Sequence, residues 1–132
     1  INYRCGTGHS VSFVGNVHEG PHALNGRNTV VFQPGMIVTD EPGVYEGGQV
    51  GIRIENELMC VHKADNQYGT FLGFEPIMFV PIATSPVVPG VLTRDELDWL
   101  NAYHREVFTK LAPHLTEEER DWLAKKCAAI GA

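Results

Sequence analysis

Val50-Gly51-Ile52-Arg53-Ile54-Glu55-Asn56 reads as a strand that carries charge where burial is expected. Side chains on a strand alternate with period two, so Arg53 and Glu55 share one face and Ile52 and Ile54 the other. Upstream, Glu41 closes another apolar run, Met36-Ile37-Val38, just before Pro42-Gly43. A turn after Pro42-Gly43 and another at Gly47-Gly48 return the chain, bringing the two carboxylates back towards each other. Carboxylates brought together repel, and beside a histidine they point to a metal, a shared proton or a cationic partner.

Working outward, short apolar or β-branched runs separated by glycine and proline turns predict strands over residues 10–17, 29–32, 36–40, 44–46, 50–62 and 70–81, the last interrupted by Pro76. Strands joined by such short turns indicate an antiparallel sheet. The character changes at residues 85–90, Ser-Pro-Val-Val-Pro-Gly, a proline-rich connector. Thr93 with Glu96 is a capping-box signal, and Leu97, Leu100, Val107 and Leu111 follow at helical spacing until Pro113. Thr116 with Glu119 opens a second helix, with Lys125 and Lys126 near its C-terminal end. The fold class is therefore α+β, a mostly antiparallel sheet followed by a helical tail, with domains at 1–84 and 85–132.

Composition narrows the function classes. At 132 residues, 43% hydrophobic and 20% charged, the chain can build a globular core. A net charge of −6 argues against nucleic acid or an anionic membrane as partner. No apolar run approaches the roughly 20 residues that span a bilayer. Three widely spaced cysteines, Cys5, Cys60 and Cys127, suit free thiols of a reducing compartment, and the expectation is cytoplasmic. Ile1 is followed at once by a glycine motif, so the chain reads as a fragment of something longer.

His9, His18, Glu41 and Glu55 are the candidates for chemistry, all beside glycine or proline turns or on strands facing them. Imidazole with carboxylates suits Mn²⁺, Co²⁺, Fe²⁺ or Zn²⁺. His18 is also placed to act as an acid or a substrate-binding donor. The competing structural reading is that Glu55 pairs with Arg53 or a lysine while His9 caps a turn. Cys5, His9 and His18 form a loose zinc set with no second cysteine pair to complete it. His22 and His62 read as exposed loop or strand residues, His104 and His114 as solvated positions on the helical tail. Glu75, in an apolar run, calls for a structural partner. Trp99, Tyr103 and Trp122 read as core or interface, and Cys60 and Cys127 as core packing.

Taken in order, Cys5-Gly6-Thr7-Gly8-His9, His18-Glu19-Gly20-Pro21, the run from Gly35 to Tyr45 with Glu41-Pro42-Gly43 at its centre, Gly51-Ile52-Arg53-Ile54-Glu55-Asn56 and the Phe71-to-Ile82 segment resemble the C-terminal part of the Xaa-Pro aminopeptidase branch of the pita-bread metallopeptidases. The tail, with its Asp95-to-His104 and Glu119-to-Lys126 segments, resembles the C-terminal extension of that branch. The resemblance implies the C-terminal half of a pita-bread fold and two divalent ions, usually manganese, with cobalt or zinc as alternatives. It implies His9, Glu41 and Glu55 as metal ligands, with Glu41 also the candidate general base. His18 would contact substrate and help stabilise the transition state, and Arg53 would orient the acidic groups. The substrate would be a peptide with proline at its second position.

Two departures matter. Two aspartate ligands of the family have no counterpart here, so the missing N-terminal part of the protein is an expected partner and the chain alone is expected to be inactive. Cys5 stands where the family has a histidine at the substrate pocket, which bears on substrate recognition. The alternative is a non-catalytic pita-bread module serving protein association. Either reading leaves an apolar sheet face and an open edge uncovered, which predicts self-association, with a homodimer through the sheet or the tail.

Overall fold

The structure is a computed structural model and describes residues 5–131. The chain divides into two compact units, residues 1–78 and 79–132. The first holds five strands: β1 (Ile37–Asp40), β2 (Gly43–Glu46), β3 (Val50–Arg53), β4 (Asn56–Asn66) and β5 (Gly69–Pro76). All pairings are antiparallel, with β1, β4 and β5 in one sheet in that order and β2 and β3 in a two-stranded ribbon.

The run predicted as one strand over residues 50–62 is broken at Ile54 and Glu55. The reason lies in the partners. β3 pairs with β2, with Gly43 opposite Arg53, whereas β4 pairs with β1, with Asp40 opposite Asn56. Both arms of this long hairpin change sheet at the same level. Pro42 has no amide N–H to offer a ladder, so the arm carrying it cannot pair continuously. The register offset is the same on both sides of the break, so Glu41 and Glu55 occupy facing positions across the bent ribbon. Ile54 N–H donates to Pro42 O at 3.3 Å and holds the two arms together there.

Two other predicted strands do not form. Residues 10–17 and 29–32 are bends and irregular chain, and near the first only isolated bridges occur, His9 with Ala23 and Ser10 with Val38. Beyond its bridge at Ser10 the chain leaves the edge of β1, and Phe13 and Val14 are fully exposed or nearly so. In residues 28–30, Asn28 closes on its own neighbour, its Oδ1 accepting from Val30 N and its Nδ2 donating to Val30 O. Such side-chain bonds compete with a ladder. β5 stops at Pro76, and β4 runs past the predicted end at His62 to Asn66, with a register shift between His62 and Ala64.

Val38, Thr39 and Cys60 are the most deeply buried side chains of this unit. Val44, Val50, Ile52 and Ile54 on the ribbon, and Phe71, Leu72 and Phe74 on β5, are exposed. Glu75 meets Lys63 Nζ at 2.6 Å across the β4–β5 pair, so its partner is a surface cation.

The second unit carries α1 (Arg94–Leu111) and α2 (Glu117–Lys126). Both open with a complete capping box. Thr93 accepts from Glu96 N and Glu96 returns the bond to the Thr93 backbone, and Thr116 and Glu119 do the same. These bonds serve amides that have no partner within the first helical turn. The core is Tyr103, Val107 and Leu123, with Phe79, Ile82, Phe108, Leu111, Leu115 and Cys127 packed against it.

His104 departs from its predicted solvated position and is fully buried. Its Nε2 accepts the Ile82 amide at 3.1 Å, while Tyr103 Oη donates to Val80 O at 2.9 Å. These bonds tie residues 79–82 to α1. Trp99 and Trp122 are more than half exposed. No helix of the described residues is long and apolar enough to cross a membrane.

Candidate metal centre

The site is assembled along the open edge of β1. β4 occupies one side of that strand. On the other side, Thr39 N–H donates to His9 O at 2.9 Å, and Glu41 N–H donates to Thr7 O at 2.6 Å. The crossing is so close that a Cβ on Gly8 would lie 1.8 Å from Thr39 O. Only glycine allows backbone to approach backbone in this way, and the result is that His9 is delivered beside Glu41.

The side chains then converge. His9 Nε2 lies 3.0 Å from Glu41 Oε1, and the His18 ring lies over that of His9 with centroids 3.9 Å apart. His9, His18 and Glu41 each offer a ligand atom, all within 4.8 Å of one another, and they form a group able to hold a metal ion among the described residues. The Glu41 carboxylate is held on both oxygens. Thr39 Oγ1 donates to Oε1 at 3.0 Å, and Arg53 Nη1 meets Oε2 at 2.8 Å and also donates to the Glu41 carbonyl. Arg53 is steadied by Tyr45, whose hydroxyl accepts from Nε at 2.7 Å. That bond is the first cause raising the guanidinium pKa above its ordinary value, so its charge is permanent.

The donor set fits a cation. His9 Nδ1 lies 3.0 Å from Ser10 O, and a carbonyl only accepts, so Nδ1 carries the proton. Nε2 then presents a lone pair to the Glu41 carboxylate, an arrangement that calls for a positive charge between them: a second proton or a metal ion. A ring N–H given to a backbone carbonyl is also how metal-bound histidines are commonly oriented.

Glu55 lies outside this group. It is exposed in the break between β3 and β4, although its backbone position faces Glu41. Arg53 and Thr39 draw the Glu41 carboxylate towards His9, and nothing among the described residues draws Glu55 the same way. Cys5 is half-buried and near enough to Arg53 to contribute to its raised pKa.

Thr39 and Tyr45 went unnoticed in the sequence. Thr39 lies two residues before Glu41, so it shares that residue's side of the strand, and a buried threonine there is the one signal that could have marked it. His22 was read as exposed. It is half-buried, with Nε2 2.7 Å from Ile37 O and its ring edge-on to Phe32.

The chain is similar to known proteins over most of its length. Residues 1–62 match the model of metallopeptidase family M24, and residues 70–130 match that of the C-terminal region of peptidase_M24. Aminopeptidase P2 of Arabidopsis thaliana is 47% identical over 93% of this chain and 18% of its own length. Aminopeptidase P1 of Lotus japonicus is 42% identical over 99% of this chain and 21% of its own. Among solved structures, the X-prolyl aminopeptidase of Caenorhabditis elegans, described as a cytosolic enzyme with a di-nuclear active site, superposes with a TM-score of 0.84 at 39% identity. That match covers 95% of this chain and 21% of the other. The chain thus spans about one fifth of the length of the relatives it matches.

Proposed function

The chain belongs to metallopeptidase family M24 and carries the C-terminal part of its pita-bread fold, and on that premise we propose that it is part of an Xaa-Pro aminopeptidase, which hydrolyses the bond before a proline at the second position of a peptide. The observation that carries the proposal is the convergence of His9, His18 and Glu41 from separate segments on one point. Residues 1–84 would supply the C-terminal half of the catalytic domain, and residues 85–132 the connector and tail.

His9, Glu41 and Glu55 would hold divalent ions, manganese first, together with ligands from the rest of the protein. Divalent ions bound there would supply an activated water and polarisation of the scissile carbonyl. Arg53 and Thr39 hold and aim the Glu41 carboxylate, which would be the general base. His18, exposed at the rim with its ring tilted against that of His9, is placed to donate to a substrate carbonyl. Cys5 would lie on the substrate side, where a thiol donates weakly. The exposed apolar ribbon and β5 support completion by the N-terminal part of the protein and a homodimeric assembly. The cytosolic setting of the nematode relative supports the same compartment here.

The deciding experiment compares the complete manganese-loaded protein with the 132-residue chain on an Xaa-Pro peptide. Turnover by the complete protein, its loss on chelation, and a fall of about 10²-fold or more in Glu41→Gln are expected. An inactive complete protein would support the association module instead. Turnover by the 132 residues alone would refute the ligand assignment.

A further inference from the structure

We propose that His22 is a positioning residue that pegs the His18 loop to the sheet, a role that rests on the reading of His9, His18 and Glu41 as the metal and substrate site. The loop is laid along Ser10 by two backbone bonds: Ser10 N–H donates to His22 O, and Glu19 N–H donates to Ser10 O, both at 3.1 Å. These bonds tie the loop to the glycine segment, but neither reaches β1. The His22 side chain does, with Nε2 2.7 Å from Ile37 O.

Ile37 and Thr39 direct their backbone groups to the same open edge of β1, because alternate residues of a strand point the same way. Thr39 N–H is taken up there by His9 O, and Ile37 O by His22. One edge therefore anchors both histidines, His9 through its backbone and the His18 loop through the His22 ring.

The chemistry of the ring allows one orientation only. A carbonyl accepts, so Nε2 carries the proton. Nδ1 is buried with no hydrogen-bond partner, so Nε2 is the ring atom that anchors the side chain. The face of the ring is set as well: His22 stands edge-on to Phe32 at 5.5 Å, and Phe32 stands edge-on to Phe74 of β5 at 5.2 Å. His22 is thus gripped by β1 at its tip and by β5 through Phe32, and the backbone it carries sets His18 over His9.

The test uses the 132-residue chain without metal and reads geometry by nuclear magnetic resonance. In the wild type, His22 is expected as the Nε2–H tautomer, with a through-space contact between the His9 and His18 rings. His22→Leu keeps an apolar body and removes the donor, and the ring contact is expected to be lost. His22→Gln keeps an N–H donor that reaches Ile37 O, and the contact is expected to return. An Nδ1–H tautomer, or an undisturbed His9–His18 contact in His22→Leu, overturns the proposal. If His22→Leu does not fold, the tautomer and the His22→Gln contact decide. Titration of the complete protein with Co²⁺ is a separate arm: no binding there sinks the metal reading and leaves the positioning result standing.

Discussion

Replacing Gly8 by alanine tests whether the site depends on one backbone crossing. The added Cβ would stand 1.8 Å from Thr39 O, 2.9 Å from Thr39 C and 3.0 Å from Leu24 Cβ. Two of these three are backbone atoms of a strand already paired on its far side, so no side-chain rotation relieves the clash. Ordinary contact begins near 3.4 Å, and the segments must part by about 1.6 Å. Three bonds cross that gap: Thr39 N to His9 O at 2.9 Å, His9 N to Thr39 Oγ1 at 3.0 Å and Glu41 N to Thr7 O at 2.6 Å. Parting by that much carries each beyond hydrogen-bonding distance. At about 0.5–1.5 kcal/mol net apiece, the cost is about 2–4 kcal/mol. Overpacking in cores costs a comparable about 1–3 kcal/mol, and it is the same distortion counted another way. With a urea slope of about 2 kcal/mol/M, the midpoint of the strand unit falls by about 1–2 M. Circular dichroism follows the strands. Both tryptophans, Trp99 and Trp122, lie in the helical unit, and their fluorescence serves as an internal control. Gly6→Ala is the matched comparison, since a Cβ there meets nothing within 4 Å, and it should shift stability by less than about 0.5 kcal/mol. Equal stability of the Gly8 and Gly6 variants would refute the reasoning.

Three further outcomes are expected. Burial holds the His104 pKa below its ordinary value of 6.5, so the folded helical unit keeps the ring neutral while the unfolded chain takes up a proton. The stability this residue contributes is present above about pH 6.5 and declines as pH falls below it, and urea midpoints by tryptophan fluorescence at pH 7.5 and 5.5 should differ in the wild type and less so in His104→Gln. Thr93→Ala and Thr116→Ala each remove a capping box and should cost about 1 kcal/mol in the same assay, read on the helices alone. Arg53→Lys keeps a charge but loses the two-sided grip on Glu41 and Tyr45; in the complete protein it should lower kcat at least tenfold with smaller change in KM, and an unchanged kcat would show that the guanidinium geometry is dispensable.

The helical unit was legible from Thr93 onward because its signals are local. A capping box, a 3.6-residue period and a terminating proline are all contained in a few residues, and both helices begin at the residue after the predicted cap. His104 was misread for the complementary reason: it lies on the buried stripe beside Tyr103, and its acceptor role towards Ile82 is invisible without the chain that packs there. Strands were legible only where a partner lay close in sequence. β1 to β5 pair with neighbours or near neighbours, whereas the alternation over residues 10–17 had the right pattern but keeps only a single bridge, Ser10 with Val38. Pattern specifies which face a strand would show, and pairing decides whether there is a strand.

The candidate site follows the same division. His9, Glu41 and Arg53 stood out in the sequence because each follows a glycine-bounded or apolar run, but His9 and Glu41 are joined by Thr39, whose one mark in the sequence is its place two residues before Glu41. Its hydroxyl accepts from His9 N–H and donates to Glu41 Oε1, so a single side chain couples the loop to the carboxylate. A backbone N–H can only donate and a carboxylate only accepts, so the direction of that relay is fixed: amide to oxygen, then hydroxyl to carboxylate. With Arg53 on the other oxygen, both oxygens of the carboxylate are held, and Oε1 lies 3.0 Å from His9 Nε2. The break at Ile54 and Glu55 serves that hold as well. Arg53 ends β3 at the change of sheet partner, and from there its guanidinium reaches the Glu41 carbonyl and carboxylate together. The bend that spoiled the prediction of one long strand is therefore the feature that brings cation, carboxylate and imidazole to one place.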